Sequence, residues 1–392
     1  MIIKESKITK HGSKYRLEAT AQYNGGDDET IWYEVDEELS QFLTDRMDAF
    51  LVVFLMQAMS VGEDIHVEGT ISEKLFYNVY NHFMPIMRTL VPELKNVEIT
   101  AANLSNAPLK CKNHTVTGFS AGIDSLCLIN DNLAKSTPES YRITDLVFYD
   151  VGSHSESKEL FEKRYKRLSE DALKIGFPLR RIESNIDSIL NVDFTRTCTL
   201  RNVSVILILQ GLFSKYLCAS GVSYIDSMIK ETEYCDYADA ATLPLLSTET
   251  LECISSGGQY SRTEKTKIVT EMELSQNMLD VCITDMPEDK PHNCSYCFKC
   301  LRTIITLEIL GKLDLYKTVF DIDRFNKYRY FYYILSLSKN CVFAQEILIL
   351  ANEENYKLPI GTKTLAFLYS FKIFQLTKPI IKKIISPLTN KA

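Results

Sequence analysis

The chain reads as an α/β protein: a parallel sheet with helices on both faces, preceded by an α+β module and followed by a helical region. Three observations predict it. From about residue 115, short apolar runs alternate with helical periodicities, as repeated strand–helix units require. One of these strands runs into Ser120-Ala121-Gly122-Ile123-Asp124-Ser125, a small-residue turn that opens an apolar helix. The 392 residues are 45 % apolar and 24 % charged, an ordinary balance in a chain long enough for two domains.

Residues 1–110 form the expected amino-terminal module. Residues 14–23 and 30–35 alternate as strands about Asn24-Gly25-Gly26-Asp27, a cluster suited to a hairpin turn. Residues 37–59 show helical periodicity, with Phe42, Met47, Phe50, Phe54 and Leu55 as core positions. Residues 64–67 read as a further strand, and Ser72 begins a helix. His11, His66 and His82 read as surface or satisfied core histidines, and no chemistry stands out here.

Residues 111–303 carry the alternating units. Strands are expected over 115–119, 145–150, 180–186 and 216–219, and helices over 124–132, 157–175 and 202–215. Residues 304–392 read as helical, with Tyr328, Tyr330, Phe331, Tyr332 and Tyr333 as core or interface. From residue 361 onward there are six lysines and no acidic residue. We read this stretch as a packed helix with a solvated basic end. Contact of Lys378, Lys382 and Lys383 with an anionic membrane surface is the alternative.

In a parallel sheet, ligands gather at the carboxyl ends of strands, where the 120–125 turn falls. Strand, small-residue turn and helix bring backbone N–H groups and a helix start together on a phosphate. Gly122 can take positive φ, Ser120 and Ser125 add hydroxyls, and Asp124 suits Mg²⁺ or the orientation of a phosphate chain. A plain turn before an Asp cap accounts for the same letters structurally. The Walker pattern GxxxxGK[ST] is absent. Further on, Ser261 and Glu264 spell a capping box. Arg262 and Lys265 lie three apart on that helix start, where cations oppose the dipole unless an anion compensates. They read as phosphate or carboxylate ligands, with a solvated face as the alternative.

Cys282 and the C-x-x-C-x-x-C group Cys294, Cys297 and Cys300 have metal-ligand spacing. Four thiolates make a closed tetrahedral Zn²⁺ site, and an iron–sulfur cluster on three of them is the other reading. Cys111, Cys127, Cys198, Cys218, Cys235, Cys253 and Cys341 read as small buried hydrophobes. A net charge of −7 gives no general reason to bind nucleic acid. The start turns polar at once, without a leader pattern, and apolar runs are too short to span a bilayer. Cytoplasm is the expected location.

The spelling SxGxDS resembles the PP-loop of the ATP pyrophosphatase superfamily, whose usual SGGxDS differs only in the glycine that Ala121 replaces. Thr199-Leu200-Arg201-Asn202-Val203 is similar to the PGRN segment of the 7-cyano-7-deazaguanine synthase family, with Thr199-Leu200 for Pro-Gly. The four cysteines are similar to that family's zinc site, with a longer gap after Cys282. The order of the three segments also agrees, over roughly residues 114–303.

The resemblance implies a Rossmann-like fold of the adenine nucleotide alpha hydrolase kind, in a diverged relative of the synthase. It implies ATP-dependent, Mg²⁺-assisted adenylation of a carboxylate or carbonyl oxygen, followed by C–N bond formation. The acceptor would be a small molecule or a protein terminus. Ser120, Ala121, Gly122, Ile123, Asp124, Ser125, Asn202 and Arg262 would hold ATP, while Asp124, Arg201 and Lys265 would carry the catalysis. The Arg201–Asn202 pair would open a helix lining the cleft. Two rivals stand beside it: a tRNA sulfurtransferase of the PP-loop class, using Cys127 or Cys198, and a non-catalytic nucleotide-binding scaffold.

Overall fold

The computed structural model describes residues 1–153, 157–339 and 341–370. Two compact units emerge: Met1–Ser120 with Asp131–Gln259, and Ala121–Asn130 with the described residues from Tyr260 onward.

The first unit is built on one eleven-stranded sheet. Its strands are β1 (Ile2–Ile3), β2 (Lys7–His11), β3 (Lys14–Gln22), β4 (Glu29–Asp36), β5 (Ile65–Ser72), β6 (Ile99–Ser105), β7 (His114–Gly118), β8 (Asp145–Tyr149), β9 (Leu179–Ser184), β10 (Phe213–Ala219) and β11 (Glu252–Ser256). The order is β11-β10-β7-β8-β9-β4-β3-β1-β5-β6, with β2 beside β3. From β9 to β11 every pair is parallel. The chain winds from β7 through β8 to β9, then crosses to β10 and β11 on the other side. Winding therefore reverses between β7 and β10, the arrangement compatible with a Rossmann-like fold.

The expectation of a parallel sheet is corrected to a mixed, mostly parallel one. β4 joins β9 antiparallel, with Tyr33 opposite Ser184, and β3 pairs antiparallel with β1, β2 and β4. β1, β5 and β6 are again parallel. The pairing of β4 with β9 also crosses the expected boundary at residue 110, so the hairpin is continuous with the parallel strands. An open β9 edge would present unpaired N–H and C=O groups, and the hairpin supplies their partners.

The core beneath this sheet rests on the Asp48–Val61 helix, buried from Asp48 to Met59, where Asp48 and Gln57 are the polar residues among apolar ones. It packs against the Phe194–Leu207 helix. Phe50, Phe54, Leu55 and Met47 are buried as expected. The expected continuous helix over 37–59 is split, because Glu37–Phe42 is a 3₁₀ turn and Leu43 is extended. Asp48 then anchors the new start: its carboxylate accepts from Ser72 N–H at 2.7 Å and Gln210 Nε2 at 3.0 Å. Alternation along β8 assigns the faces. Val147 and Tyr149 lie with this helix pair, while Phe148 stacks on Phe161 of the Lys158–Ile175 helix, centroids 4.9 Å apart.

A second correction concerns residues 202–215. The helix runs Phe194–Leu207 and β10 begins at Phe213, so Arg201–Asn202 sits inside the helix instead of opening it. Thr199-Leu200 lacks the Pro-Gly break and continues the helix from its start after Asp193.

The second unit is helical, with Arg262–Thr270, Phe298–Ile309, Ile322–Leu337, Val342–Glu353 and Thr362–Ser370 as its main elements after residue 260. Of the aromatic run, Tyr332 and Tyr333 are core, and the Tyr333 hydroxyl donates to Glu308 at 2.7 Å. Lys378, Lys382 and Lys383 lie outside the described residues. Among the described residues no single helix is long and apolar enough to cross a membrane.

Candidate anion site and cysteine knuckle

β7 ends at Gly118, and the Ile123–Asn132 helix follows the Ser120–Gly122 turn. The left-handed residue of that turn is Ala121, at φ 53°, one position before the glycine singled out in the sequence. This is where SGGxDS loops carry their first glycine, and an L-residue is strained there. The Ala121 carbonyl is held by the Asp280 N–H at 2.8 Å. Leu126 N–H and the Ser125 hydroxyl both donate to the Gly122 carbonyl, at 3.0 and 3.1 Å, closing the first turn. Ser120 is exposed and Ile123 is buried.

Asp124 lies in that first turn. Its carboxylate meets Arg262 Nη1 at 2.6 Å and Lys265 Nζ at 3.2 Å. Both cations come from the Arg262–Thr270 helix, whose capping box is formed as the sequence predicts. The two face the same way, and Lys265 is only 2 % exposed. Burial acts to raise the Asp124 pKa, but Arg262, Lys265 and Arg302 outweigh it and hold the carboxyl below its ordinary value. With both oxygens engaged by cations, Asp124 acts here as a counter-ion, and nothing in the geometry supports the Mg²⁺ role expected of it.

Two further cations were missed. Arg302 is brought down to about 9 by burial, with the Arg262 charge adding to the effect. Lys299 is lowered by burial, Arg302 and Arg262. Both sit beside Cys300, so the cysteine motif was their available signal. Phe343 and Glu346, which touch Arg262, had none, being distant in sequence.

The four cysteines converge. Sγ separations are 3.7 Å for Cys294–Cys300, 3.8 Å for Cys282–Cys297 and 3.5 Å for Cys297–Cys300, and all four lie within 4.8 Å of one another. One tetrahedral ion at ~2.3 Å from each sulfur sets edges of about 3.8 Å. The cluster thus fits a single Zn²⁺, and its closeness favours one ion over an iron–sulfur core. Ser295 at φ 62° makes the knuckle bend. Cys297 N–H donates to Cys294 Sγ and Thr284 N–H to Cys282 Sγ, each at 3.3 Å. Asn293 ties the knuckle down, accepting from Val281 N–H and donating to the Leu279 and Val319 carbonyls. Asp280 links knuckle to turn, because its carboxylate accepts from Cys282 N–H at 3.4 Å while its N–H holds Ala121.

In the first unit, Arg201 is 1 % exposed and structurally committed. It donates to Thr197 Oγ1 at 2.9 Å, the Val151 carbonyl at 2.9 Å, the Val192 carbonyl at 3.2 Å and Asp187 Oδ1 at 2.6 Å. It therefore braces two loops, and these bonds occupy donors that an α-phosphate would need. Asn202 beside it is half-buried. Close by, burial pushes Asp239 up to about 7, with a bond from Thr199 opposing and Asp236 adding. Burial also raises the Cys198 thiol, helped by Asp239 and Asp236.

Comparison with protein-family models, with curated proteins and with solved structures finds no match.

Proposed function

We propose that the chain is an ATP-dependent adenylating enzyme. It would split ATP into AMP and pyrophosphate while activating a carboxylate or carbonyl oxygen of a small molecule or protein terminus for C–N bond formation. The observation that carries this reading is the meeting of Arg262 and Lys265 on Asp124, in the first turn after Ser120-Ala121-Gly122.

On this reading an arriving oligophosphate takes over Arg262 and Lys265, replacing one anionic partner by another. The acceptor oxygen forms a bond to the α-phosphorus, and the bridging P–O bond breaks, its electron pair leaving with pyrophosphate. Cations fixed in advance stabilise the charge that develops, and removal of one such donor typically costs about 3–4 kcal/mol of the barrier. Ammonia or an amine then displaces AMP from the adenylate. Cys282, Cys294, Cys297 and Cys300 would hold Zn²⁺ as a closed structural site. A reducing compartment such as the cytoplasm keeps those thiols available. The sulfur-transfer alternative loses support: a raised Cys198 pKa and a Cys127 only 1 % exposed disfavour a reactive thiolate.

The test is ATP–pyrophosphate exchange over a panel of carboxylates that includes 7-carboxy-7-deazaguanine. Exchange with one acid, lost in Lys265→Met, is expected. ATP consumption with no exchange for any acid would contradict the reading.

A further inference from the structure

The second unit holds more cationic groups near Asp124 than the loop and the Arg262–Lys265 pair supply. Arg302 comes from the Phe298–Ile309 helix, which leaves the knuckle. Its guanidinium lies 4.1 Å from the Phe343 ring centroid and 5.7 Å from that of Phe298. Arg262 lies over the same Phe343 ring at 5.7 Å, and Lys339 over Phe298 at 5.2 Å. Facing these groups and Lys265 are the carboxylates Asp124 and Glu346, the latter accepting from the Arg262 backbone N–H at 2.9 Å. An aromatic face attracts a cation without neutralising it. Arg302 on that ring therefore keeps its charge, and beside Arg262, whose counter-ion is Asp124, it suits a polyvalent anion. Phe343 and Glu346 belong to the helical region after residue 304, which the family resemblance does not reach.

We propose that Arg302, seated on Phe343, is a third anion ligand beside Arg262 and Lys265, and that together they take the terminal phosphates of an oligophosphate chain. Asp124 is the place-holder that occupies Arg262 and Lys265 until the anion arrives. The identity of that chain as the tail of ATP rests on the adenylation reading; the anion site itself does not. A guanidinium presents parallel N–H donors to two phosphate oxygens at once, which a lysine cannot do. The Val342–Glu353 helix is thereby part of the site, because it supplies the ring that positions both arginines.

The test is calorimetric titration of the full, metal-loaded chain with inorganic tripolyphosphate. Wild type is expected to bind, and Arg302→Gln to bind about ten- to hundredfold more weakly. Phe343→Leu, which keeps apolar bulk but removes the ring, should weaken binding at an unchanged unfolding midpoint, and Asp124→Asn should strengthen it. Equal affinity in wild type and Arg302→Gln would overturn the inference, as would no binding by wild type. Should Arg302→Gln fail to fold, Arg302→Lys and Phe343→Leu decide the matter in the same way. Tripolyphosphate binding that depends on Arg302, in a wild type showing no ATP–pyrophosphate exchange, would uphold this site and sink the adenylation reading.

Discussion

At residue scale, Ala121 shows how a single side chain strains the turn between a strand and a helix. Its positive φ costs an L-residue roughly 1–2 kcal/mol, part of which glycine would lose again through its freer unfolded chain. Ala121→Gly should therefore leave stability unchanged or raise it by up to about 1 kcal/mol, read from urea unfolding; a clear loss would mean the strain is absent. Gly152 is the opposite case. At φ 114° its added Cβ would sit 2.6 Å from Arg201 Nη1 and against the Asp187 carboxylate, so Gly152→Ala should cost about 3 kcal/mol or more. Asp48 sets a pH dependence. Burial lifts its carboxyl to about 6, against bonds from Ser72 and Gln210 that lower it. The folded value lies above the unfolded one, so this contribution is full at low pH and is lost as pH rises through about 6. Between about pH 4 and pH 7 the wild type should lose roughly 2–3 kcal/mol relative to Asp48→Asn, and parallel pH profiles would refute it.

At element scale, the capping box of Arg262–Thr270 was legible because Ser261 and Glu264 are local signals three residues apart. Ser261→Ala should cost about 1 kcal/mol and loosen the start from which Arg262 and Lys265 project. The four cysteines were legible for the same reason, since spacing alone brings three of them onto one bend. Arg201–Asn202 was not. Whether that pair opens a helix or lies within it depends on the residues before it, and Thr199-Leu200 carry no stop signal. Arg302 escaped notice because its environment is made by Phe343 and Glu346, forty residues or so downstream. The knuckle has its own test. Metal removal by a chelator should speed hydrogen exchange at Asp280, whose N–H holds Ala121, along with the 293–300 segment. Unchanged exchange at Asp280 would uncouple the cysteines from the turn.

At the scale of the whole molecule, the alternating strands and helices were readable from periodicity, but the way the sheet closes on the amino-terminal hairpin was not. Strand pairing across 150 residues leaves no local mark, and Tyr33 opposite Ser184 is such a pairing. Its consequence is that residues 111–392 should not fold as a soluble unit alone. They would expose the β9 edge and the face of Phe194–Leu207 that the Asp48–Val61 helix covers. A monomeric, cooperatively unfolding fragment would refute the continuity of the sheet. The central claim is that the turn at Ala121 and the cations of the second unit direct ATP cleavage between the α- and β-phosphates. Phosphorus NMR of the products formed from ATP with an acceptor acid tests it most directly: AMP and pyrophosphate are expected, and ADP with inorganic phosphate would contradict the account.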